Sequence, residues 1–220
     1  MENKNNILFK TLVGSRLFGL ETEKSDYDYF YCYVENSKDI LLGRTNGKGI
    51  FNHGKTDESW HEIGNVINGL KKGNINFYIG VYGKVINTSV WHKKIIDILD
   101  HFPTKNIYYS IHGMVTSNYE KYILPSNKFF VNKEKRLRLM ITFLELGTEY
   151  LETGKFVFNG NKEYLELSEK ELLKIYKEKL KEFETAYNTS KLHETSEEKN
   201  KLLDDILYNI RLENLNKETH

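Results

Sequence analysis

Two carboxylates, Asp26 and Asp28, stand two residues apart at the mouth of the aromatic run Tyr27 to Val34. On a strand, residues i and i+2 share a face, with Cα atoms roughly 6.5–7 Å apart. Upstream, the apolar segment Ile7 to Val13 ends in the small, flexible pair Gly14-Ser15. Backbone N–H groups freed where such a pair opens a helix bind anions. Hard carboxylate oxygens on one face beside them can hold a divalent metal against a phosphate chain. That combination is suited to nucleotidyl transfer.

Gly14-Ser15-Arg16-Leu17-Phe18-Gly19 followed by Ser25-Asp26-Tyr27-Asp28 resembles the signature of the DNA polymerase β-type nucleotidyltransferase superfamily. The closer likeness is to its branch of predicted nucleotidyltransferases associated with RNA repair. Asp57 to Asn74, ending in Lys72-Gly73-Asn74, and Leu146 to Phe158 resemble later segments of that branch. The resemblance implies an α+β fold, a small mixed β-sheet nucleotidyltransferase core with a helical C-terminal half. It implies transfer of a nucleoside monophosphate from an NTP to a hydroxyl, with release of pyrophosphate. Asp26 and Asp28 would bridge two Mg²⁺ ions, one activating the attacking hydroxyl and the other clamping the triphosphate. Oxygen ligands suit Mg²⁺ or Mn²⁺, and no His/Cys set argues for zinc. Gly14 and Ser15 would bind the nucleotide phosphates, joined by Arg16 unless that residue pairs with a surface acid.

A third carboxylate completes such a site. Asp57 is the choice, because its distance to Lys72-Gly73-Asn74 resembles the family pattern. On a regular strand Glu58 points the other way, and Glu62 is placed on the following helix. An RNA end, of tRNA or another RNA, is the favoured acceptor. A protein side chain or a small molecule is the alternative, and a non-catalytic nucleotide- or RNA-binding module is the third. The intact Asp-x-Asp argues against the last, since a module that only binds has no need of paired metal carboxylates.

The elements that must position these residues are legible in outline. With 39% hydrophobic residues in 220, the chain can bury a sizeable core. Net charge is +1, so no global field marks a nucleic-acid binder. Residues 1–150 carry 20 Lys/Arg against 16 Asp/Glu, and residues 151–220 carry 12 against 15, so the first part is mildly basic. Cys32, the single cysteine, excludes an intramolecular disulfide and reads as a buried structural thiol. The N-terminal run reads as neither a signal peptide nor a membrane span, which predicts a cytoplasmic protein that does not engage a membrane.

Tyr27, Tyr29, Tyr31 and Tyr33 alternate along the second strand, either as a base-stacking platform or as a stripe packed beneath helices. Ser37 to Lys55 is Gly-rich and reads as a loop, a flap over substrate or an irregular connection. Lys55 to Trp60 predicts a strand and Glu62 to Leu70 a helix ended at Gly73. Phe77 to Ile86 is ambiguous. Helices are predicted over Lys105 to Ile123, Asn132 to Glu152 with Gly154 as cap, Ser168 to Tyr187 and Thr195 to Leu215. Ser168 and Thr195 each precede an acid by three residues, the pattern of a capping box. Lys133, Lys135, Arg136 and Arg138 form a basic cluster, a solvated helix face or a phosphate contact. The expected organisation is a catalytic core over 1–125 with a helical C-terminal region over 126–220 packed on it.

Overall fold

The computed structural model describes residues 6–44, 48–124 and 132–219. Two compact units emerge, one of residues 1–17, 21–102 and 196–220, the other of 18–20 and 103–195. The 125/126 boundary expected from the sequence falls outside the described residues.

The first unit is built on a five-stranded mixed sheet in the order β3-β4-β2-β1-β5. Its strands are β1 (Ile7–Val13), β2 (Tyr27–Tyr33), β3 (Lys48–His53), β4 (Thr56–Glu62) and β5 (Lys84–Asn87). β2 and β4 run parallel, while every other pair is antiparallel. A parallel pair needs a crossover, supplied here by α1 (Ser37–Leu41) and β3. α2 (Ile63–Lys71), α3 (Ile75–Tyr82) and α4 (Val90–His101) follow. Phe9, Ile63, Val66, Ile67, Leu70, Ile75 and Ile95 are fully buried. Phe9 stacks on His92 at 4.0 Å, and burial lowers the pKa of that imidazole. α3 lies close against Phe30, because a Cβ on Gly80 would fall 2.5 Å from the ring.

The stretch expected to be a loop is not one. Lys48 to His53 forms an edge strand paired with β4, joined to it through Gly54, whose φ of +64° only glycine adopts readily. Asn46 and Gly47 lie outside the described residues. The ambiguous Phe77 to Ile86 resolves into the end of α3 and the start of β5, split at Gly83.

α8 (Glu197–Thr219) closes this unit through polar contacts. Lys71 pairs with Asp204 at 2.7 Å, Trp91 donates to Glu213 at 2.9 Å, and Asn214 donates to the Glu35 carbonyl at 3.3 Å.

In the second unit α5 (Ile107–Asn118) runs into a π-helical turn over Tyr119–Ile123. α6 (Lys133–Thr153) and α7 (Glu169–Thr189) pack together, with Phe183 seated on Gly147, where a Cβ would lie 2.5 Å from the ring. The caps predicted at Gly154 and Ser168 hold, whereas α8 is capped by Ser196, whose hydroxyl accepts from the Lys199 amide at 3.1 Å, and not by Thr195. Gly154 adopts φ +74°, and Ser168 forms a capping box with Glu171. In the basic cluster, Arg136 lies over the Tyr122 ring and Lys133 pairs with Glu169 at 3.6 Å. Among the described residues no helix is long and apolar enough to cross a membrane.

Candidate active site

β1 ends at Val13, which pairs with Asp28 of β2, so the turn that follows begins beside that carboxylate. Gly14 starts a single 3-10 turn, Gly14–Arg16, closed by the Leu17 amide on the Gly14 carbonyl at 3.1 Å. Its φ is +68°, and a Cβ there would fall 1.9 Å from Oδ2 of Asp28. Glycine is required twice over, for the backbone and for the space the carboxylate takes.

Asp28 faces Asp57 directly in the parallel β2–β4 register. Residues in register on adjacent strands project from the same face, about 4.8 Å apart. Ring contacts fix the parity, since Tyr31 stacks on its register partner Trp60 at 4.1 Å, on the opposite face from Phe30 and His61. Both aspartates are half-buried, whereas Asp26 lies just before β2 with its side chain exposed.

The rival acids are engaged elsewhere. Glu58 accepts from the Tyr31 hydroxyl and from Nε1 of Trp60, each at 3.1 Å, on the tyrosine face. That contact and burial push the Tyr31 hydroxyl far above its ordinary range, with burial the larger cause. Glu62 ends β4 rather than lying on the helix. It caps α2 through the Gly64 amide at 2.7 Å and meets Arg211 of α8 at 2.6 Å.

Arg16 is turned toward the backbone. Its Nε donates to the Asp26 carbonyl at 3.1 Å and its Nη2 to the Ser25 carbonyl at 2.9 Å. The guanidinium also lies 3.8 Å from the Tyr27 ring centroid. Three consecutive residues around the first acid are thus fastened to the Gly-Ser turn by one side chain. Sequence spacing cannot reveal this, because a guanidinium fork serves a phosphate and a pair of carbonyls equally well.

The donor chemistry fits Mg²⁺ or Mn²⁺, since Asp26, Asp28 and Asp57 offer only hard oxygens. Among the described residues, no three acidic, histidine or cysteine side chains converge at metal-ligating distance. Asp28 and Asp57 stand opposite each other in the β2–β4 register, and Asp26 lies two residues before Asp28, ahead of the strand. Cys32 is fully buried, and burial pushes its thiol well up, with nearby Glu62 adding to the shift. It is a core residue, as its place in the strand implies.

Residues 1–203 match the RNA repair pathway DNA polymerase beta family. The chain belongs to that family. It is therefore a nucleotidyltransferase of the polymerase β type, on an α+β fold with a mixed sheet and a helical C-terminal half. Among solved structures it is similar to the spectinomycin adenyltransferase AAD(9) from Enterococcus faecialis with ATP and spectinomycin. That match has 12% identity, 94% of this chain and 93% of that chain covered, and a TM-score of 0.42. No curated protein matches.

Proposed function

We propose that this protein transfers a nucleoside monophosphate from an NTP to a hydroxyl at an RNA end, with Asp26, Asp28 and Asp57 as the metal-binding acids. The observation that supports this best is the direct β2–β4 pairing of Asp28 with Asp57, beside a Gly14 that leaves the Asp28 carboxylate its space. Asp26, Asp28 and Asp57 would hold Mg²⁺ or Mn²⁺, which would supply neutralisation of triphosphate charge and a lowered pKa of the attacking hydroxyl. The hydroxyl oxygen forms a bond to the α-phosphorus as the α–β bridge breaks, and pyrophosphate leaves with the bridging electron pair. Asp57 accepts the hydroxyl proton. Gly14 and Ser15 offer N–H groups to the phosphates, and Arg16 holds the Ser25–Asp26 backbone against their turn.

The family's description as an RNA repair pathway family supports an RNA-end acceptor, and the acids alone do not specify it. Incubation with each α-labelled NTP, Mg²⁺ and total RNA should place label on RNA in the wild type. It should leave none with Asp28→Ala. Asp57→Asn should lower turnover by orders of magnitude with a much smaller effect on NTP affinity. Glu58→Gln, on the opposite face, should stay near wild type. Near-normal turnover in Asp57→Asn would remove that residue from the acid set, and label on protein instead of RNA would overturn the acceptor.

A further inference from the structure

The sheet face opposite Asp28 and Asp57 carries a set of side chains that the transfer chemistry does not use. In register across it run Phe51, Glu58, Tyr29, Leu12 and Lys84, one residue from each strand. Tyr27 precedes this row on β2, and Lys10 lies beyond it on β1. Tyr27 and Phe51 are each 42% exposed, large rings left in water. Tyr27 and Tyr29 stand nearly parallel, with centroids 6.3 Å apart and planes 16° off. Nζ of Lys10 sits 3.8 Å from the Tyr29 centroid and 4.7 Å from that of Tyr31. Arg16 covers one end of the ladder, and exposed Lys84 flanks the row at β5. Against these three cations stands Glu58, whose two oxygens are taken by Tyr31 and Trp60.

We propose that this face binds single-stranded RNA and leads the acceptor strand toward the Gly14 turn. Exposed rings such as Tyr27 and Phe51 stack with bases, and cations beside them meet the phosphates, while Leu12, Tyr31 and Tyr33 on the same face are buried and take no part. A protein-docking surface shares the aromatic and arginine content but is depleted of lysine at its centre, where this face places Lys10 over the tyrosine rings. Ring stacking and phosphate contacts read no base edges, so binding is tolerant of sequence. The face's use as an acceptor track rests on the nucleotidyl-transfer reading above, whereas its capacity to bind RNA does not.

The test is fluorescence anisotropy of a labelled, unstructured RNA oligonucleotide on the full chain, with chelator and without NTP, repeated across a salt series. A duplex of the same sequence and a single-stranded DNA serve as comparisons. The wild type should bind the single strand over the duplex. Phe51→Ala should weaken binding roughly 5- to 100-fold, the worth of one stacked ring, with an unchanged salt slope. Lys10→Gln should weaken it and flatten the logarithmic salt slope by about 0.7, one phosphate contact on a single strand. Phe51 lies exposed on an edge strand, and both variants should keep the wild-type melting temperature within a few degrees. Asp28→Ala should bind the oligonucleotide like the wild type while failing to transfer, which separates this surface from the catalytic reading. No binding, preference for the duplex, or equal affinity in both surface variants would overturn the proposal. Equal affinity for single-stranded DNA would fit contacts that read rings and phosphates and not the sugar, and a strong preference for the DNA would overturn the proposal.

Discussion

Gly14 and Gly19 share a φ of +68°, yet they differ in what a methyl group would meet. At Gly14 it would fall on the Asp28 carboxylate, and at Gly19 nothing lies within 4 Å. The backbone penalty of roughly 1–2 kcal/mol should therefore be common to both alanine variants, measured by urea unfolding. Only Gly14→Ala should also displace Asp28 and lower turnover by two orders of magnitude or more. Comparable turnover in the two variants would detach the Gly14 turn from catalysis. The glycines were legible as a motif in the sequence, but not their difference, because it depends on which strand end faces the turn. Arg16 was similarly visible as a residue and hidden as a contact. Its two carbonyl acceptors belong to the backbone, which carries no sequence signature.

Strand β3 shows why one element escaped the sequence. Lys48-Gly49-Ile50-Phe51-Asn52-His53 lacks clean alternation, and its glycine is there for packing, since a Cβ on Gly49 would lie 2.8 Å from the Phe51 ring. Pairing with β4 sets this strand, and local propensity contributes little. The starts of the long helices were read to within two residues and their ends to within about four, because caps are local, as at Ser168 and Gly154. The attachment of α8 was not, because its partners are remote in sequence. Glu62 and Arg211 form the most consequential of these contacts, with Glu62 only 4% exposed. Arg211→Met should strand a buried carboxylate at the β4–α2 junction and cost about 3–5 kcal/mol in denaturant unfolding. Adding Glu62→Gln should recover much of that loss. If Arg211→Met alone were neutral, the pair would contribute nothing to holding α8.

At the scale of the whole molecule, one buried cation gives the stability a signature in pH. Lys199, near the start of α8, is 1% exposed, with Nζ 3.4 Å from the Tyr78 hydroxyl, which itself donates to the Leu70 carbonyl. Burial lowers its pKa from 10.5 to about 8. Below pH 8 the lysine is charged in both folded and unfolded chains, and the folded state carries the full burial penalty. Between about pH 8 and 10.5 the unfolded chain binds more protons than the folded one, so stability rises with pH. Tyrosines act in the opposite sense at higher pH. Burial raises Tyr33 and Tyr176 to about 12, so folded chains keep protons that unfolded chains lose above pH 10. The Lys199 contribution is therefore read between pH 8 and 10. Lys199→Met should stabilise the protein by up to about 3 kcal/mol at pH 7, the shift converted at 1.36 kcal/mol per unit. The gain should shrink steadily toward pH 10. Urea unfolding of both proteins at pH 7, 8, 9 and 10 measures the difference. A gain independent of pH would mean that the methionine acts through packing alone, and a loss at pH 7 would mean that the ammonium is satisfied where it lies.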